Sequence, residues 1–131
     1  MSDKEIIEIP VLSDVVRKLG VPLSLVVRAN GLLFVSGMPP LDPVTGQIVK
    51  GDAEVQSEAS LRALKYVLET AGSSLDKVVK TTAYVSNAGC FPTFNRVYAR
   101  YFPDRHPART FVAVGSWPLE FDIEVECIAL A

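Results

Sequence analysis

Asp122-Ile123-Glu124-Val125-Glu126-Cys127-Ile128-Ala129-Leu130-Ala131 closes the chain. Its first six residues alternate strictly: Ile123, Val125 and Cys127 fall on one side of an extended backbone, and Asp122, Glu124 and Glu126 on the other. A strand with one apolar and one acidic face needs cover on the first and tolerates water on the second. That is the pattern of a sheet packed on one side.

Upstream, Ala108 to Val114 reads as a second strand and Val78 to Val85, rich in Val, Thr and Tyr, as a third. Between them a helix is predicted from about Pro92, in its first turn, to Phe102, with Phe94, Tyr98 and Tyr101 on one face and Pro103 ending it. A longer amphipathic helix is predicted from Ala53 to Ala71. There Leu61, Leu64, Leu68 and Ala71 recur three or four apart among Glu58, Arg62, Lys65 and Glu69, with Asp52 as the cap and Gly72 as the stop. Ser24 to Arg28 and Leu32 to Ser36 flank Asn30-Gly31, a pair that tolerates the positive φ of tight turns, so a β-hairpin is expected there, preceded by a short strand around Ile6 to Ile9. The sum is an α+β sandwich with two helices on one face of a mixed sheet. Val26, Leu33, Val35, Val112 and Val114 are expected on the uncovered face, where they would offer water too much apolar surface, and association through that face is the simplest remedy.

With 131 residues, 49% of them hydrophobic, the chain can bury a real core, and residues 1–131 show no repeat or linker, so they read as a single domain. Thirteen Lys and Arg stand against 15 Asp and Glu, a net charge of −2 without basic clusters, which argues against nucleic acid as the main partner. Cys90 and Cys127 lack C-x-x-C spacing and His106 is the single histidine, so no zinc site, no disulfide scaffold and no cofactor is called for. Met1 to Glu8 has no secretory pattern and no segment approaches the ~20 apolar residues that span a bilayer. A soluble, cytoplasmic protein without membrane partners is expected.

Arg109 opens an otherwise largely apolar strand. It is either a surface or interface residue paired with a carboxylate, or a ligand anchor, since its planar fork donates two parallel hydrogen bonds to a carboxylate and stays ionised. Glu124 and Glu126 share a face and form either a solvated stripe, bridged to Arg109 or Lys80, or a site where one of them holds a water and accepts its proton. At Ser36-Gly37 a strand ends with a backbone open to close approach by a ligand, or simply with a glycine that allows the next turn. Asn95 is polar on an aromatic helix, placed for a cleft or for solvent. No role is assigned to His106, Cys90 or Cys127.

Leu33-Phe34-Val35-Ser36-Gly37, Leu41-Asp42-Pro43 through Gly46, Ala71-Gly72-Ser73-Ser74-Leu75 and Val79-Lys80-Thr81-Thr82 are followed by Asn95 to Phe102, Pro107-Ala108-Arg109 and Ile123 to Ala129. In order and spacing this set resembles the Rid (reactive intermediate deaminase, RidA-like) family over roughly the last hundred residues. The resemblance implies a chorismate-mutase-like fold, a homotrimer with a cleft between each pair of subunits, and cofactor-independent hydrolysis of enamines or imines, such as 2-aminoacrylate, to keto acids and ammonia. It also implies that Arg109 grips the substrate carboxylate, that Glu124 helps place the attacking water, and that Ser36, Gly37 and Asn95 line the cleft.

Two positions depart from the family pattern. Its Pro-Tyr-Ser is Pro22-Leu23-Ser24 here, and the small residue two after the arginine is Phe111. Leu23 and Phe111 make the expected pocket more apolar, favouring a bulkier imine or an aminomuconate-like acid. Two other functions fit the same residues: a regulatory module that binds small carboxylates without turnover, and an endoribonuclease or translation inhibitor, which the acidic balance and lone histidine disfavour.

Overall fold

A computed structural model describes residues 3–131. The chain runs β1 (Glu5–Ile7), α1 (Leu12–Leu19), β2 (Val26–Ala29), β3 (Leu32–Met38), α2 (Ala53–Thr70), β4 (Val78–Val85), α3 (Phe91–Tyr101), β5 (Ala108–Ala113) and β6 (Ile123–Leu130). Six strands form one sheet in the order β1-β2-β3-β6-β4-β5, antiparallel throughout except for β4 beside β5. A parallel pair needs a crossover, and α3 lies within it.

The expected hairpin is present, its turn made by Asn30 and Gly31 at φ 51° and 74°. The side chain of Asp52 accepts the Val55 N–H at 3.0 Å and so caps α2. Leu61, Leu64 and Leu68 of α2 are fully buried in one core with Ile123, Val125 and Cys127 of β6. Each buried leucine contributes on the order of 1.5–3 kcal/mol, and together they fix α2 across the sheet.

Two expectations are corrected. A third helix, α1, follows β1 where none was foreseen; Val11, at its N-cap with φ 68°, makes no capping hydrogen bond, and the fully buried Leu12 ties the helix to the core. The sheet faces are also redistributed. Val26, Leu33 and Val35 are buried in the same core as α2, so the uncovered face carries the exposed Phe34 and Val112 together with Ile128 and Leu130. Val114 lies beyond the end of β5.

β3 contains one extra residue. Val35 pairs with Cys127 and Met38 with Val125, so Ser36 and Gly37 together stand against Glu126 alone. This bulge re-aims the backbone and brings Gly37 beside Glu124. Among the described residues, no helix is long and apolar enough to cross a membrane.

Candidate functional site

Arg109 pairs in register with Thr81 of β4, which is fully buried on the helix-covered face. Its side chain therefore runs toward α3. The guanidinium carbon Cζ lies 4.9 Å from the ring centroid of Tyr98, 5.7 Å from that of Phe91, and 5.8 Å from those of Phe94 and Phe111. The rings brace one another, with Phe91 and Phe111 edge to face at 5.0 Å and Phe94 5.6 Å from Phe111. The Tyr98 hydroxyl shares a 2.8 Å hydrogen bond with Thr81 Oγ1. Burial pushes the Tyr98 phenol above its ordinary range, opposed by Thr81 and by the charge of Arg109.

Ring faces hold a guanidinium by its charge and leave its N–H donors free. Among the described residues no carboxylate pairs with Arg109. Its charge is thus available to an incoming anion. Beside it opens a groove of about 360 Å³, lined by Asn95, Tyr98, Phe102, His106 and Arg109. The Oδ1 of Asn95 is itself buried, without a hydrogen-bond partner among the described residues.

Glu124 lies on the other side of the sheet. It pairs with Tyr84 of β4, out of phase with the buried Ala83 and Val85, and shares the uncovered face with Glu126. A Cβ placed on Gly37 would stand 2.4 Å from Glu124 Oε1, so the carboxyl group occupies the space that the glycine leaves. Burial raises the Glu124 carboxyl above its ordinary range and the negative charge of Glu126 adds to the shift, while the indole of Trp117 opposes it by hydrogen bonding. Ser36 Oγ donates to the Ser24 carbonyl at 2.6 Å, next to the exposed Leu23.

The seven residues singled out in the sequence thus divide into two groups on different parts of the chain. Arg109, Asn95 and Phe111 belong to the helix side, and Glu124, Ser36, Gly37 and Leu23 to the neighbourhood of the open face. One copy of the chain does not bring Arg109 and Glu124 together. The expected bridges from the glutamates to Arg109 or Lys80 are absent among the described residues; Lys80 donates to Thr110 Oγ1 instead.

Residues 18–131 match the family described as Endoribonuclease L-PSP. A RutC family protein of Pyrococcus horikoshii is 44% identical over 108 residues, 82% of this chain and 86% of that one. Reactive Intermediate Deaminase A of Arabidopsis thaliana is 41% identical over 82% of this chain and 58% of its own. The solved structure of a conserved Rid family protein of unknown function from Yersinia pestis superposes with a TM-score of 0.88 at 35% identity, covering 98% of this chain and 100% of that one. This chain belongs to the Rid family.

Within the Rid frame both departures acquire a place. Phe111 packs its ring between β5 and α3 and forms one wall of the arginine box. Leu23 puts an apolar side chain beside Ser24 and Ser36. The sequence reading missed Phe91, Phe94 and Tyr98 as partners of Arg109, and Trp117 as a partner of Glu124. The signal was Phe91-x-x-Phe94-x-x-x-Tyr98, one helical stripe, whereas Tyr101, assigned to that stripe, turns to Glu58 of α2.

Proposed function

We propose that this Rid protein is a cofactor-independent deaminase that hydrolyses enamine or imine intermediates, 2-aminoacrylate-like or bulkier, to keto acids and ammonia, with its site completed between subunits of a homotrimer. The observation that carries this reading is Arg109, held by four rings with no carboxylate partner among the described residues, at the edge of a groove. Arg109 of one subunit takes the substrate carboxylate. Glu124 of a neighbour positions a water against the imine carbon and accepts its proton as the C–O bond forms. The nitrogen collects protons, the C–N bond breaks, and ammonia leaves behind a carbonyl. The apolar surroundings of Phe91, Phe111 and Leu23 suit a side chain larger than that of 2-aminoacrylate.

Generating imino acids in situ with an amino-acid oxidase and following their decay tests this directly. Acceleration by the wild type that disappears in Arg109→Ala is expected, greater for bulky side chains than for the smallest. Keto acids that bind while no imine decays faster would instead make the protein a carboxylate-binding module, and RNA cleavage that survives Arg109→Ala would restore the ribonuclease reading.

The pH profile gives a second check. Glu124 acts as a carboxylate, and its ionisation is displaced upward by burial and by Glu126. The acid limb of kcat/KM is therefore expected above the usual carboxylate range. Glu126→Gln removes one cause of the displacement and should move the limb down; a limb that stays put would take Glu124 out of the role of base.

A further inference from the structure

The loop between α3 and β5 constrains the backbone on either side of His106. Arg105, before it, has φ 46°, a left-handed conformation that residues other than glycine and asparagine rarely adopt without compensation. Pro107, after it, confines His106 itself to extended backbone. The exposed His106 lines the same groove as Asn95 and Arg109.

We infer that His106 is a specificity-determining residue that receives a second carboxylate, so that the groove selects imino and keto acids carrying an acidic group at the far end of the side chain. The inference rests on the reading of Arg109 as carboxylate anchor. Two groups in one groove then match two on the ligand: Arg109 takes the first carboxylate, and a ring N–H of His106 donates to the second. The groove, about 360 Å³, is far larger than a three-carbon acid needs. The charged and titratable groups around His106 are Arg109 on β5, Tyr98 on α3, and Asp104 and Arg105 in its own loop. Arg105 also acts on Asp76 across the adjoining hollow.

Calorimetric titration of the full-length protein with 2-oxoglutarate and with 2-oxopentanoate, equal in carbon number and differing by one carboxylate, tests this without requiring turnover. Wild type is expected to prefer 2-oxoglutarate by roughly tenfold or more, the scale of one hydrogen bond to a charged group. His106→Leu should erase the preference and His106→Lys should keep it. Equal binding of the two acids by wild type, or a preference that His106→Leu leaves intact, overturns the inference. If that equal binding still depends on Arg109, the anchor survives and only the role of His106 falls; if neither acid binds wild type, both fail.

Discussion

Subunits carrying Arg109→Ala, mixed with subunits carrying Glu124→Gln, are expected to recover turnover that neither variant has alone. Arg109 pairs with Thr81 on the helix-covered face, and Glu124 pairs with Tyr84 on the open face. If each site takes Arg109 from one subunit and Glu124 from the next, an intact site forms wherever an Arg109-bearing chain meets a Glu124-bearing chain in the right order. Random reassembly of equal amounts in a closed ring should restore about a quarter of wild-type activity. The measurement is turnover after joint refolding, with each variant refolded alone as the baseline. A mixture no more active than the sum of its parents would mean that the two residues do not serve one shared site.

Phe94→Ala is expected to have the largest effect on stability of any change near the arginine. Phe94 is fully buried, its ring 5.5 Å from Tyr98, 5.6 Å from Phe111 and 5.8 Å from the guanidinium carbon of Arg109. Truncating a buried phenylalanine costs roughly 3–5 kcal/mol, a large part of the 5–15 kcal/mol that holds a typical domain folded. Urea unfolding should show the midpoint fall accordingly. Phe91→Ala, at a position 45% exposed, should lose far less while still loosening the arginine. Similar losses for the two would show that burial does not rank the walls of the box.

Local chemistry made most of the fold legible. β4 was read with its observed bounds because Val78 to Val85 is rich in residues that suit a pleated surface. Asn30-Gly31 and Asp52 announced their own turn and cap. α1 was not legible: its eight residues follow Val11, whose side chain cannot cap, and the buried Leu12, a tertiary contact, holds it in place. The misplacement of Val26, Leu33 and Val35 has a different cause. A period of two shows which side chains share a face but not which face the helices cover.

The same limit governed the site. Arg109 could be singled out by its apolar flanks, and Glu124 by its alternation with Ile123 and Val125. Whether they face each other depends on the register of β5 against β4 and of β4 against β6, and neither is encoded within a single strand. The box around Arg109 also stayed hidden, because its walls come from α3 and β5 and meet only when the crossover is closed. His106 looked idle because Asn95 and Arg109, which line the same groove, lie on the elements to either side of its loop.

The packing of Gly37 against Glu124 makes the order of change at this pair matter. Shortening residue 124 first empties the space in which position 37 then accepts a side chain. The reverse order passes through an intermediate whose new Cβ stands 2.4 Å from Oε1, so the carboxylate must leave its place before anything replaces it. Position 124 can therefore change without a clash, whereas any side chain at position 37 displaces the flexible Glu124 carboxylate at the first step.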